Sequence, residues 1–129
     1  MNFLLAIAVG GASGALLRYG LSGLIQKLAP GPFPWGTVTV NVIGSLLMGM
    51  GWEYLNRAAT WPVLRGFVMV GLLGAFTTFS TFSLETAMLA RLHDMRMALM
   101  NVFVTNAACI AAALVGINLA RWVLAAPVK

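Results

Sequence analysis

Residues 71–86 read GLLGAFTTFSTFSLET, and this stretch decides how the rest of the chain is interpreted. It belongs to an uncharged segment, residues 66–84, that lies between Arg65 and Glu85. Four hydroxyl residues and three phenylalanines are crowded into residues 74–82. Threonine and phenylalanine lose side-chain freedom against the preceding helical turn, and glycine loosens the backbone. The composition therefore predicts a helix that breaks at residues 74–78.

The overall composition is that of a membrane protein. Of the 129 residues, 60% are hydrophobic and only 9% are charged, and the mean hydropathy is +0.91. Soluble domains carry about a quarter charged residues. The eight lysines and arginines are scattered singly, with no basic cluster that would indicate nucleic acid as a partner. We therefore interpret them as the flanks of segments that cross a lipid bilayer.

Charged and proline residues divide the chain into four spans within a single transmembrane domain, residues 1–129. A bilayer core about 30 Å thick needs about 20 helical residues. The predicted spans are approximately 3–26, 33–53, 66–90 and 97–122. Pro30, Pro32 and Pro34 mark the first loop, and the sequence Thr60-Trp61-Pro62 marks the second. The fold class is therefore an all-α membrane protein with four transmembrane helices, the third broken near the bilayer midplane.

The charges on the two sides of this arrangement are balanced. Lys/Arg asymmetry normally sets the orientation of a membrane protein, but here the count is four against four. One side carries Arg57, Arg65, Arg121 and Lys129, and the other carries Arg18, Lys27, Arg91 and Arg96. Either a small protein has a weak bias, or both orientations insert and pair. We favour the second interpretation, an antiparallel homodimer with its functional surface between or beside the subunits.

Polar residues within three spans favour a lined pathway. A break at the bilayer centre is tolerated only where the backbone is buried in protein or faces water, and unwound carbonyls in transporters commonly coordinate a cation. The alternative is a continuous helix whose Thr and Ser side chains bond back to their own carbonyls. Polar rows also occur on the second and fourth helices, in Asn41 and Ser45 and in Asn101, Thr105, Asn106 and Cys109.

Phe76, Phe79 and Phe82 recur at every third residue, which predicts one aromatic stripe along the third span. The edges of these rings are positive and can contact an anion. This stripe overlaps the hydroxyl residues, so an anion-handling role is favoured. Packing against lipid or protein is the alternative interpretation.

Three motifs carry a resemblance that covers the whole chain. They are GGASGALLRY at residues 10–19, WGTVTVNVIGS at 35–45 and GLLGAFTTFSTFSLET at 71–86. The chain resembles the Fluc (CrcB-type) fluoride channels. The resemblance implies a multi-pass protein of the bacterial inner membrane that forms a dual-topology antiparallel homodimer with two pores. It also implies that fluoride leaves the cytoplasm passively, down its gradient.

The same resemblance implies roles for individual residues. Ring edges that line the pores are expected at Phe79 and Phe82, with the pore asparagine at Asn41 and hydroxyls beside the rings at Ser80 and Thr81. Glu85 matches the acidic residue that ends the motif, and Arg18 the vestibule arginine. The fourth helix carries no clear motif of the family, so a polar track there, with Thr105, Asn106 and Cys109, is assigned from its polar row alone. The backbone carbonyls of Gly74 and Thr77, doubled by the dimer axis, would hold a structural sodium ion. Ala75 departs from the family pattern, in which a second glycine is usual.

Two other functions are weighed against a channel. A small multidrug-type antiporter also has four helices and dual topology, but it needs a carboxylate inside the membrane. Glu53, Glu85 and Asp94, the three acids of this chain, lie at or beyond the ends of the spans. An enzyme is not expected, because the single histidine, His93, has neither a nucleophile nor a second metal ligand near it in the sequence.

Overall fold

The computed structural model describes residues 2–57 and 61–125, without the side chains of residues 56 and 57. The sequence predictions that concern Thr60, Lys129 and the side chain of Arg57 lie outside the described residues. Within the described part the chain is helical and contains no strand. This confirms the all-α fold class.

Four helical segments follow one another along the chain. Helix α1 spans Phe3–Leu28 and α2 spans Trp35–Arg57. The third segment, Pro62–Leu92, consists of α3 over residues 62–76 and α4 over Phe79–Leu92, and α5 spans Met95–Ala125. Three segments are long and apolar enough to cross a membrane: Phe3–Leu28, Pro62–Leu92 and Met95–Ala125. Helix α2 has 23 residues, and its polar side chains lower its hydropathy.

Small residues bring the helices together in two parallel pairs. A methyl group at Gly10 would overlap the carbonyl oxygen of Phe67, so α1 lies directly against α3. A methyl group at Gly49 would likewise overlap the carbonyl oxygen of Ala113, and one at Gly116 that of Leu46, so α2 and α5 are in direct contact. Because lipid supplies no hydrophobic drive between helices, such close approach is the main source of association.

The third segment leaves the helical conformation at two residues. Over Gly66–Leu73 its backbone forms wide, π-helical turns, and α-helical geometry resumes at Gly74–Phe76. Thr77 has φ −86° and ψ 158°, and Thr78 has φ −151° and ψ 115°. Both conformations are extended, so the helix is interrupted between Phe76 and Phe79. We name Thr77–Thr78 the interruption.

The break lies inside the predicted stretch, residues 74–78, but the prediction is wrong in extent, because only Thr77 and Thr78 leave the helix. Gly74 has helical dihedral angles, φ −63° and ψ −34°, and its N–H donates to the carbonyls of Met69 and Gly71. The amide of Thr77 still donates to the carbonyl of Leu73 at 3.1 Å. Helical hydrogen bonds therefore hold the chain as far as Phe76, and the β-branched Thr77 and Thr78 are the residues that leave the helix.

The predicted single stripe of three phenylalanines is also wrong for Phe76. Phe76 precedes the interruption and lies 7% exposed beside α1 residues such as Leu16 and Leu17. Phe79 and Phe82 follow the interruption and lie together, with their ring centroids 5.4 Å apart. The three-residue period holds only along a continuous helix, and the extended backbone between Phe76 and Phe79 redirects the chain.

Candidate functional site

The interruption is held by a side chain from α2. The Nδ2 of Asn41 donates to the carbonyl oxygen of Thr78 at 3.1 Å, and the N–H of Thr78 donates to Oδ1 of Asn41 at 2.7 Å. Asn41 is 8% exposed. One side chain thus satisfies both polar groups of a residue that has left the helix, which in an apolar surrounding would be costly without partners. The Nδ2 atom carries a second hydrogen, which can donate to a further acceptor.

The first turn of α4 is capped by the interruption itself. The Oγ1 of Thr78 accepts from the N–H of Thr81 at 3.2 Å, as an N-cap residue does. The same hydroxyl donates to Oγ1 of Thr81 at 2.9 Å and lies 3.4 Å from Oγ of Ser80. Three hydroxyl groups and the positive end of the α4 dipole are therefore collected at one point of the fold.

An open groove of ≈ 290 Å³ lies beside the interruption, between α2, α4 and α5. We name it the phenylalanine groove, and its lining residues are Asn41, Ser45, Met48, Thr77, Thr78, Phe79, Phe82, Thr105, Asn106, Cys109 and Ala113. The Phe79 ring is 75% exposed, whereas Phe82 is buried, and the two ring planes are inclined by 44°. The groove thus combines aromatic rings with hydroxyl and amide donors and contains no charged side chain.

A second polar groove of ≈ 410 Å³ lies on the other side of Thr78, between α1, α2 and α4. We name it the carboxylate groove, and its lining includes Arg18, Ser22, Gln26, Thr37, Thr78, Thr81 and Glu85. The Oγ1 of Thr37 donates to Oε1 of Glu85 at 2.8 Å. Oε2 of Glu85 is buried and has no hydrogen-bond partner in the part of the chain that the structure describes. Thr78 is the one lining residue that the two grooves share, so it stands between them.

Arg18 connects α1 to the end of α3. Its Nε donates to the carbonyl oxygen of Ala75 at 3.1 Å. The last four carbonyls of a helix lack intrahelical donors, and Arg18 supplies a donor to one of these carbonyls, that of Ala75. The charge that interrupts the first apolar span therefore faces protein and a polar groove.

The structure brings most of the predicted site residues into these two grooves. Asn41, Thr77, Phe79, Phe82, Thr105 and Cys109 line the phenylalanine groove, and Arg18, Thr81 and Glu85 line the carboxylate groove. Ser80 lines neither groove but contacts Thr78. Gly74 also lines neither, and it lies at the end of α3. The assigned roles of these residues stay predictions.

Several lining residues were not site candidates from the sequence, among them Thr37, Met48 and Thr78. Thr37 stands four residues before Asn41, so the i, i+4 spacing that singled out Asn41 and Ser45 also pointed to it. Met48 carried no sequence signal, because methionine is common in apolar helices. Thr78 was counted as one of a group of hydroxyl residues, and only the backbone conformation distinguishes it from its neighbours.

The polar row on α5 is divided between the groove and a buried network. Thr105 donates from Oγ1 to Oδ1 of Asn101 at 3.0 Å. Nδ2 of Asn101 donates to Oγ1 of Thr86 at 2.8 Å, and Oγ1 of Thr86 donates to the carbonyl oxygen of Phe82 at 2.8 Å. Asn101 has no exposed surface. This chain of hydrogen bonds fixes α4, and with it the Phe82 ring, against α5.

The sequence is similar to those of known proteins over most of its length. A family model described as "CrcB-like protein, Camphor Resistance (CrcB)" matches residues 5–117. The fluoride-specific ion channel FluC of Geobacter sp. (strain M21) is 44% identical over 122 residues, which cover 94% of this chain and 98% of that protein. The protein of the same name from Magnetococcus marinus is 42% identical over 116 residues, 89% of this chain and 94% of its own length.

A third relative, the fluoride-specific ion channel FluC of Parabacteroides distasonis, is 41% identical over 115 residues, 89% of this chain and 90% of that protein. The names of these relatives are those of ion channels and not of enzymes, as the sequence analysis expects. The similarity extends over nearly the whole of each protein. The chain therefore belongs to the CrcB-like family of multi-pass membrane proteins, as its three motifs indicate.

Proposed function

We propose that this protein is a passive, fluoride-selective channel of a bacterial inner membrane that lets fluoride leave the cytoplasm down its gradient. The observation that carries the proposal is the interruption at Thr77–Thr78 held by Asn41. It directs Phe79 and Phe82 into one groove with hydroxyl and amide donors. The substrate is carried over from the names of the relatives.

The groups in the phenylalanine groove suit a small anion that must lose its hydration shell. The second N–H of Asn41 and the hydroxyl of Ser45 are donors in this groove that can replace water molecules, whereas the hydroxyl hydrogens of Thr78 and Thr105 are already donated to Thr81 and Asn101. The positive edges of the Phe79 and Phe82 rings stabilise negative charge without supplying a full counter-charge. Conduction requires binding that is favourable enough for entry and weak enough for exit. Neutral donors meet both conditions better than a lysine or arginine would.

The proposed anion route uses both grooves and passes Thr78, which lines each of them. Arg18 lies in the carboxylate groove, where its charge raises the local concentration of anions. Thr81 and Ser80 add hydroxyls beside Thr78. An anion that enters beside Arg18 would therefore pass the capped end of α4 before it reaches the rings. Glu85 is held at the rim by Thr37.

A second copy of the chain would close the grooves. Both are open along one side in a single chain, and water or lipid would otherwise fill them. An antiparallel pair gives each groove an equivalent in the other copy, which provides two pores per dimer. The balanced Lys/Arg count supports insertion in both orientations.

The carbonyls of Gly74 and Thr77 fit the proposed sodium ion at the dimer axis. They lie at the end of α3, where carbonyl groups lack intrahelical donors and the helix dipole is negative. Carbonyl oxygens are suitable ligands for a hard cation, and two copies of the chain would supply four. When bound, the ion supplies positive charge that holds the two interruptions together.

Efflux from vesicles tests the function. Purified protein is reconstituted into liposomes loaded with fluoride, and efflux is followed with a fluoride electrode while the potassium ionophore valinomycin balances charge. We expect efflux with no proton gradient and no release of chloride from matched vesicles. Efflux no faster than from empty vesicles would refute the proposal. Transport that depends on a proton gradient would instead favour the antiporter.

A further inference from the structure

A third groove, entirely apolar, lies at the end of the bundle where α2 and α5 finish and α3 begins. Its volume is ≈ 370 Å³ and it opens between these three helices. Residues that line it include Met50, Tyr54, Leu64, Val68, Val123 and Leu124. It shares no lining residue with the phenylalanine groove or the carboxylate groove. A role for this apolar groove is therefore separate from the anion route.

Two arginines flank the apolar groove on different helices. Arg65 directly follows the lining residue Leu64 on α3, and its Cζ lies 5.5 Å from the ring centroid of Trp52 on α2. Arg121 directly follows Ala120, which also lines the groove. Its Nε lies 3.2 Å from Oε2 of Glu53, and its side chain is 60% exposed. Neither arginine is a lining residue, but each follows one directly in its helix, and each contacts α2 at this end of the bundle.

Exposed aromatic residues place the mouth of this groove at head-group depth. Trp52, Tyr54, Trp61 and Trp122 are each more than half exposed, and all four lie near this end of the bundle. Tryptophan and tyrosine concentrate at the boundary between hydrocarbon and water. The two arginines lie at about the same depth as the neighbouring lining residues Leu64 and Val123, and their long side chains can extend outward to the phosphates while the apolar lining faces the lipid chains.

We infer that the apolar groove binds one anionic phospholipid, with an acyl chain between α2, α3 and α5 and the phosphate beside Arg65 and Arg121. A cleft left empty in hydrocarbon would lose the dispersion contacts of its lining, and a chain restores them. Arginine is well suited to phosphate because its planar group can donate two parallel hydrogen bonds. A zwitterionic lipid offers the same chain but has a cationic group that offsets the attraction.

Quenching of tryptophan by brominated lipid tests the inference on the intact protein in vesicles. Trp35, Trp61 and Trp122 are replaced by phenylalanine, so that Trp52 beside Arg65 is the only reporter. Phosphatidylcholine vesicles receive increasing amounts of brominated phosphatidylglycerol or brominated phosphatidylcholine. We expect phosphatidylglycerol to quench Trp52 at lower mole fractions, since an arginine near an anionic surface contributes about a fivefold preference.

Five variants separate a specific lipid site from general attraction to the membrane surface. Arg65→Gln is expected to lower the preference for phosphatidylglycerol about fivefold, and Arg121→Gln less, because Arg121 is already paired with Glu53. Arg91→Gln is the matched charge control, since Arg91 is in the last turn of α4 at the opposite end. Val123→Phe fills the groove and should weaken quenching by either lipid. Val115→Phe, on the same helix but outside the groove, should have no effect.

Each remaining outcome overturns the inference. Equal quenching by the two brominated lipids would show that the arginines do not select a head group. An equal effect of Arg91→Gln and Arg65→Gln would indicate a diffuse surface potential. Quenching unchanged by Val123→Phe would place the lipid outside the groove. Absent quenching at all lipid concentrations would indicate that protein, such as a second copy, covers the groove. None of these readouts depends on fluoride transport.

Discussion

Gly14 on α1 lies against the carbonyl oxygen of Leu72 on α3 so closely that an added methyl group would overlap it. The same methyl would lie 2.9 Å from the carbonyl carbon of Leu72 and 3.1 Å from the amide nitrogen of Phe76. The contact is therefore made by backbone atoms, which cannot rotate away as a side chain can. It fixes the last turn of α3 immediately before the interruption at Thr77–Thr78.

Gly14→Ala is expected to destabilise the protein by about 1–3 kcal/mol, because overpacking forces the helices apart. Thermal unfolding in detergent, with proportional loss of fluoride efflux, measures the effect. Gly11→Ala is the matched control, since nothing lies within 4 Å of a methyl group there and alanine is the better helix former. Equal stability of the two variants would contradict the close packing of α1 on α3.

Asn41→Ala is expected to lower the free energy of unfolding by about 2 kcal/mol, because it removes two hydrogen bonds to Thr78. Fluoride efflux should fall further than stability explains, since the interruption and the donor to the anion are lost together. Asn118→Ala is the control, because Asn118 is exposed and bonds only to Leu114 on its own helix. Efflux from Asn41→Ala equal to that from Asn118→Ala would remove Asn41 from the mechanism.

Cys109 offers a chemical test of the phenylalanine groove without mutagenesis, because it is the only cysteine of the chain. A charged methanethiosulfonate reagent is expected to react with Cys109, which lines this groove, and to block efflux. The reagent cannot enter hydrocarbon, so reaction requires an aqueous path to the thiol. Cys109→Ser should conduct and be insensitive. Labelling of the thiol that leaves efflux unchanged would exclude Cys109 from the route.

Dual topology predicts that tags at either terminus are labelled from both sides of the membrane in similar amounts. The four-against-four Lys/Arg count gives no preferred orientation. Adding two lysines to the loop at residues 93–94 should shift the population toward the orientation with this loop in the cytoplasm. The measurement is protease or maleimide accessibility in inverted and intact membranes. One-sided labelling of the unmodified protein would rule out the antiparallel dimer.

The pattern of charges and prolines was sufficient to predict four helices. In lipid a helix satisfies the hydrogen bonds of its own backbone, so an apolar segment of sufficient length folds as a helix. The i, i+4 spacing was sufficient to place Asn41 and Ser45 on one face of α2, because that rule depends on local geometry alone. Both residues line the phenylalanine groove. Local rules failed where partners are distant in sequence. Neither the contact of Arg18 with the Ala75 carbonyl nor that of Asn101 with Thr86 has a signature in spacing.

The position of the interruption also depends on a partner that is distant in sequence. Helix propensity identified residues 74–82 as a stretch of weak helix formers, but it could not predict which of them leave the helix. Gly74 remains helical because its N–H finds the carbonyls of the wide turns before it, and these π-helical turns were not foreseen. Thr78 leaves the helix because Asn41, 37 residues away, satisfies its peptide groups. Tertiary contact, and not glycine, decides where the third segment breaks.

Substitution of the ring next to the interruption tests the central claim most directly. Phe79→Ile and Phe103→Ile are compared in the same fluoride-loaded vesicles, because both rings are more than two thirds exposed but only Phe79 lines the phenylalanine groove. We predict that Phe79→Ile lowers efflux by about tenfold or more, equivalent to about 1.4 kcal/mol, while Phe103→Ile conducts normally and both remain dimeric. Undiminished efflux through dimeric Phe79→Ile would contradict a route along the rings that the interruption sets in place.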